Sequence, residues 1–324
     1  MNKVAAAAVV GALVLLVGTA AQASQGVYRE SFLPENDMNI PVGSAEDQGI
    51  SLAEFNAVMD ELEAIYTPII AARGGRFIIN RLWGNPNVNA TATRIGDDYI
   101  INMFGGLARH PATTQDSMSL VACHEIGHHL GGAPKYDRYG PDTWVSAEGE
   151  ADYFATTKCL HRVFSRSTSA NFTRMEDDNQ IARKSCANSY QDKTAQDICY
   201  RSAQASLSAT AFRGPVNHFD TPDPLRVTWT RDGHSNFQCR LDTLFQGSLC
   251  TKPWTTDLDD VDPGVGACVA SQGYKVGLRP RCWYMPPPTE PDAQDAVTIR
   301  TTNSRASQSA ALAILGNGNV FSGF

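Results

Sequence analysis

The chain has no C-x-x-C pair among its eight cysteines, no internal repeat and no long low-complexity tract. The first absence excludes a thiolate zinc ribbon, and the second sets aside repeat architectures. After residue 23 no segment is apolar enough to span a bilayer. Basic charge is also short. Lys3 is the only charged side chain before residue 24, so the chain beyond it holds 26 basic against 34 acidic residues, a net of −8. With a pI near 5.5, a nucleic-acid partner is not expected. Histidine is sparse too, with seven in 324 residues.

The start reads MNKVAAAAVVGALVLLVGTAAQASQG. A positive Lys3, an apolar run from Val4 to Val17 and the small-x-small Ala21-Gln22-Ala23 predict a secretory signal peptide over 1–23, cleaved before Ser24. No cysteine follows that point, so a lipid anchor is not indicated. An even number of cysteines behind a signal peptide predicts disulfides in an oxidising compartment, periplasmic or extracellular. Roughly 300 remaining residues suit one large domain or two small ones.

Ser51 and Glu54 form a capping box that opens a helix to about Ala72, with Leu52, Phe55, Val58, Met59, Leu62 and Tyr66 at helical spacing. Gly74-Gly75 ends it. RFIINRLW (76–83), VNATATRI (88–95) and DYIINMF (98–104) read as strands. Thr113 with Asp116 predicts a second capping box, and its helix stops at Gly131-Gly132 before Pro134. Ser146 is the expected N-cap of a third helix, AEGEADYFATTKCLHRVF. Residues 165–215 read as a cysteine-bearing helical insert and 238–247 as a short helix. Loops follow beyond 250, and SRASQSAALAIL suggests a terminal helix. The expected division is a signal peptide (1–23), a domain over 24–250 with its insert, and a disulfide-linked, loop-rich extension over 251–324.

Three of the seven histidines fall in CHEIGHHLGGAP (123–134). His124-Glu125-Ile126-Gly127-His128 is H-E-x-x-H. Residues four apart share a helix face, so His124 and His128 can both offer a ring nitrogen to one Zn²⁺. Glu125 lies about 100° around the helix, able to reach water at that metal. A catalytic zinc takes three protein ligands and keeps one position open. SAEGEADYFA (146–155) supplies the third. Glu148 and Asp152 share a face, so Glu148 is the expected ligand and Asp152 the carboxylate that fixes a histidine tautomer. Glu150 lies about 200° from Glu148 and is the rival. His129 points away from His128. His110 and His161 have no motif around them.

H-E-x-x-H followed by E-x-E-A-D-x-x-A resembles the gluzincin proteases that include the HtpX-type membrane proteases, the CAAX prenyl proteases and soluble bacterial envelope relatives. YIINMFGGLARHP (99–111) resembles the edge strand and turn that precede the zinc helix there. GHSNFQCRL (233–241) resembles a later motif, with His234 and Arg240 six apart and Ser235 where that motif has proline. The resemblance covers about 50–160 and 230–250. It implies an α+β fold, a mainly helical gluzincin core with a small sheet whose edge strand flanks the H-E-x-x-H helix. It also implies a zinc endopeptidase with Glu125 as general base, acting on misfolded envelope proteins. An extended substrate would then pair with the edge at Tyr99–Phe104. His234 would cross the open side of the site, either donating to the oxyanion or occupying the fourth zinc position. The alternative is a chaperone-like zinc protein with the protease fold and little turnover. Cys159 lies eleven residues past Glu148, about 16 Å along its helix, so pairing with Cys123 beside His124 is not expected. Cys239, next to Arg240, is the expected partner of Cys123.

Overall fold

The computed structural model describes residues 29–137, 140, 143–166, 179–212 and 218–290. The signal peptide and the expected terminal helix lie outside the described residues, as do parts of the insert and of the extension.

Helix α1 (Leu52–Ala71) begins at Ser51, whose hydroxyl accepts from the Glu54 amide while Glu54 reaches back to the Ser51 amide. Its buried stripe includes Phe55, Met59, Leu62 and Tyr66, and it packs against the sheet and the motif helix. Strands β2 (Arg76–Leu82), β3 (Ala90–Ile95) and β4 (Asp98–Phe104) fall close to where the sequence puts them. A short strand β1 (Arg29–Ser31) joins them, from a stretch where no strand is expected.

The order is β1-β3-β4-β2, which corrects the expected edge. Strand β4 is interior: it pairs with β3 antiparallel and with β2 in parallel. The connection after β2 skips one strand width, and β4 returns into the gap, so its hydrogen-bonding groups are engaged on both sides. The strand preceding the motif helix in sequence is therefore not the free one. Beyond β3, the outer position belongs to β1.

A short helix α2 (Gly105–Arg109) turns the chain into α3 (Gln115–Leu130). The cap of α3 is Thr114 with Ser117, one residue beyond the expected box. Thr113 instead donates to the Leu107 carbonyl, and Asp116 forms a bidentate pair with Arg201. Gly131 ends the helix as its spacing predicts. Helix α3 is enclosed over Asp116–Leu130 by α1, the sheet and two later helices.

Helix α4 (Glu148–Phe154) starts at Ala147, not Ser146. Ser146 is drawn to α3: its amide donates to the His128 carbonyl and its hydroxyl to the Gly132 carbonyl. A π-helical turn over Ala155–Cys159 leads into α5 (Leu160–Arg166). Helices α6 (Gln180–Ser189), α7 (Lys193–Thr210) and α8 (Phe237–Leu249) complete the helical layer.

The four disulfides are Cys123–Cys159, Cys186–Cys199, Cys239–Cys282 and Cys250–Cys268, a density typical of exported proteins. The first and third overturn the expected Cys123–Cys239 pairing. The reason is the antiparallel run of α3 against α4. Gly127 faces Ala151 so closely that a β-carbon there would lie 2.8 Å from the Ala151 Cα. Going back from Gly127 to Cys123 is going forward from Ala151 to Cys159, and the two cysteine Cα atoms are 5.5 Å apart. The 16 Å estimate started from Glu148, which reaches the histidines from one end of the shared contact. Among the described residues no helix is long and apolar enough to cross a membrane.

Candidate metal centre

Helix α3 turns His124 and His128 toward the first turn of α4, and Glu148 meets them there. One ligand-type atom from each of the three lies within 4.8 Å of the others, and all three residues are buried. His124 Nε2 is 3.2 Å from Glu148 Oε2, and His128 Nε2 is 3.6 Å from Glu148 Oε1.

Each histidine is oriented through its other nitrogen. His124 Nδ1 donates to Asp152 Oδ1 at 2.7 Å, and His128 Nδ1 donates to the Ser146 carbonyl at 2.9 Å. With the protons on Nδ1, both Nε2 atoms present lone pairs to the centre. Asp152 is itself held by Arg240, whose Nη2 and Nε lie 2.7 and 2.8 Å from its two oxygens. Tyr136 donates to Glu148 Oε1 at 3.2 Å.

His124 Nε2, His128 Nε2 and Glu148 Oε2 are buried without a hydrogen-bond partner, as are both Glu125 oxygens. Acceptor atoms that converge at 3.2 Å in a dry interior need a proton or a metal ion between them. Two imidazoles and a carboxylate are a donor set suited to a divalent transition metal, so the group could hold a metal ion. Burial works against a charged His124, but Asp152 and Glu148 outweigh it and raise its pKa to about 9. Burial lowers His128 to about 4. Glu148 is held well below the usual carboxylate range: burial opposes this, and His234, His128 and His124 override it. Glu125 is raised to about 8, chiefly by burial.

Glu150 lies on the other side of α4, in a bidentate pair with Arg279. His234 sits at the rim with its side chain one-fifth exposed. Its Nε2 is 2.7 Å from the Ser31 carbonyl and 3.4 Å from Glu148 Oε2. A carbonyl only accepts, so Nε2 bears the proton and offers no lone pair to a metal in this arrangement. His129 lies outside the cluster, stacked on Trp144 with Nε2 at 3.2 Å from the Ile100 carbonyl. His110 packs edge-on against Phe212, and His161 sits beside Tyr190. His218 is on the surface.

Sequence reasoning passed over Tyr136, Phe32 and the Ser146 carbonyl. Phe32 sets its ring edge-on to His124 at 5.2 Å and accepts Arg240 Nη1 on its carbonyl. Nothing marks Tyr136 in a loop rich in aromatics, and a backbone carbonyl leaves no trace in sequence. A second potential cluster, Asp223 with Cys239 and Cys282, has both its sulfurs tied up in a disulfide.

No known family model, no curated protein and no solved structure matches the chain. The motif residues are thus the whole basis of the resemblance to the gluzincin proteases.

Proposed function

We propose that this is an exported zinc-dependent endopeptidase of gluzincin type, cutting extended or misfolded polypeptide. The observation behind this reading is the convergence of His124 Nε2, His128 Nε2 and Glu148 Oε2 without a donor, beside the buried Glu125. Zinc held by those three residues would supply a Lewis acid, lowering the pKa of water and polarising a peptide carbonyl.

The remaining chemistry falls to the chain. Glu125 takes a proton from the attacking water and returns it to the leaving amine. Its buried site raises its proton affinity, which makes it a stronger base than an exposed carboxylate. Asp152, braced by Arg240, fixes the His124 tautomer. His234 Nε2–H already donates to one peptide carbonyl, that of Ser31. The same donor suits the oxygen of a substrate carbonyl as it gains charge.

The test is digestion of casein with and without a chelator, with metal content measured in parallel. Activity should vanish on chelation and return with zinc. Glu125→Gln should keep its zinc and lose at least about 100-fold in rate, the usual scale for a positioned base. A folded, zinc-loaded protein that digests nothing would instead make the chain a zinc-containing binding protein. Unchanged cutting by Glu125→Gln would remove the hydrolytic role of that residue.

A further inference from the structure

Strand β1 lies where a substrate strand would have to go. The sheet has two outer strands, β1 and β2. On the β2 side α1 packs against the strand, and its Asp60 and Glu63 both accept from Arg81. The β1 side meets the metal centre. The Ser31 carbonyl accepts from His234 Nε2 at 2.7 Å, and the same nitrogen is 3.4 Å from Glu148 Oε2. One residue on, the Phe32 carbonyl accepts from Arg240, and its ring abuts His124 at 5.2 Å. The chain at 31–32 therefore lies against the ligand cluster, with one carbonyl on the donor that the mechanism assigns to a substrate carbonyl.

The pairing is weakly built. Strand β1 pairs with β3 over Arg29↔Thr93, Glu30↔Ala92 and Ser31↔Thr91, and the Phe32 amide adds a bond to the Ala90 carbonyl at 3.1 Å. Each such bond has a modest net worth. Strand β3 is six residues long, so a longer strand could pair with more of it. The chain just after is firmly anchored: Phe32 and Leu33 are fully buried. Releasing residues 29–31 from β3 would expose the buried Glu30 and leave Phe32 and Leu33 in place.

We infer that the outer edge of β3 is the docking edge for an extended polypeptide, and that β1 is its built-in occupant, which a substrate must displace. This deepens the peptidase reading and rests on it. Recognition is through main-chain hydrogen bonds by strand addition, so the partner is any unfolded segment long enough to outpair three residues.

The antiparallel register gives a clean variant. Phe32 donates to Ala90, so Glu30, two residues back, also turns its amide toward β3. Glu30→Pro removes that donor and disfavours the strand; Glu30→Gln keeps the donor and removes the side-chain charge. The probe is a labelled synthetic peptide of residues 24–33, titrated by fluorescence anisotropy into metal-loaded protein carrying Glu125→Gln, so that nothing is cut. Glu30→Pro should bind it at least about tenfold more tightly than the parent, with Glu30→Gln like the parent. In the Glu125-intact protein, Glu30→Pro should digest casein several-fold faster. Equal peptide binding by parent and Glu30→Pro overturns the inference. So does weaker binding by Glu30→Pro, which would mean that partners add to the outside of β1. Tighter binding with no digestion by any variant leaves the docking edge standing and removes the peptidase reading. If Glu30→Pro does not fold, hydrogen exchange in the native protein decides. The Ala92 amide should exchange at least 100-fold faster than the amides between β4 and β2, and equal protection refutes displacement.

Discussion

Glu148 and Glu150 are two residues apart on α4 and both are buried, yet they belong to opposite kinds of site. Glu150 has both oxygens bonded to Arg279, whose Nη1 also donates to the Pro263 carbonyl at 2.8 Å. Charge and hydrogen-bonding capacity are used up within the chain. Glu148 has Oε1 on Tyr136 and leaves Oε2 bare among two bare imidazole nitrogens. One face of the helix is complete as folded; the other presents a group that could hold a metal ion. The segment after Cys250 belongs to the first face. Arg279 comes from it, Trp283 covers Gly149, and Tyr153 donates to the Gly277 carbonyl at 2.6 Å. Burial alone therefore does not distinguish a ligand from a strut. Unsatisfied atoms do.

The widest separation should come from truncating each glutamate in turn. Glu150→Ala leaves the Arg279 guanidinium buried and unpaired, which costs about 3–5 kcal/mol. The variant should unfold at much lower denaturant, and whatever stays folded should hold metal in the parental ratio. Glu148→Ala should do the reverse: it loses the metal, and its metal-free stability falls by less than that of Glu150→Ala, because it strands no buried guanidinium. Denaturation midpoints and metal content on the same samples check both. If Glu150→Ala loses metal and Glu148→Ala does not, the two faces have been assigned the wrong way round.

Asp152 joins the two kinds of bonding, closed toward Arg240 and directed through His124 toward the metal centre. Removing its charge sharpens the contrast at smaller amplitude. Asp152→Asn no longer enforces the His124 Nδ1–H tautomer, and such outer partners are worth 10–100-fold in metal affinity. Competition against a chromogenic chelator should show a loss of that size with one metal per chain still bound at saturation. Affinity equal to the parent would mean that the tautomer is set by burial and Phe32 alone.

Local signals in the sequence were readable and long-range ones were not. Ser51 with Glu54 marks the start of α1, and Gly131 the end of α3, because caps answer to neighbouring amides. The i,i+4 spacing of His124 and His128, and of Glu148 and Asp152, puts each pair on one face by helix geometry alone. The order of the sheet depends on which strand fills the gap beside β2, and that is decided by packing against α1 and α3. The Cys123–Cys159 bridge follows from the direction in which α4 crosses α3, set by the close contact at Gly127. Ser146 had the residue type of a cap, but the His128 carbonyl in the preceding helix and the Gly132 carbonyl just past it take its amide and hydroxyl.

The smallest effect concerns Lys158, the weak point of the closed face. It is fully buried on the π-helical turn, and its ammonium donates to the Pro253 carbonyl at 3.0 Å. The described residues put no carboxylate at ion-pair distance from it. Burial lowers its pKa to about 7, whereas an unfolded lysine keeps its proton to about 10.4. Between those pH values the unfolded chain binds more protons than the folded one, so this group makes stability rise with pH across that window. Below about pH 7 both states are charged, and the folded state bears the whole cost of the buried ammonium. Lys158→Met removes that cost. Because Pro253 is exposed, solvent near the amine reduces the effect, and the gain at pH 6 should be on the order of 1–2 kcal/mol. It should shrink steadily toward pH 10, where the parent lysine is neutral in the fold. Melting temperatures of parent and variant at pH 6, 8 and 10 measure the difference directly. A gap that stays constant with pH would mean that Lys158 remains charged in the folded protein throughout, and that its one carbonyl contact is backed by water.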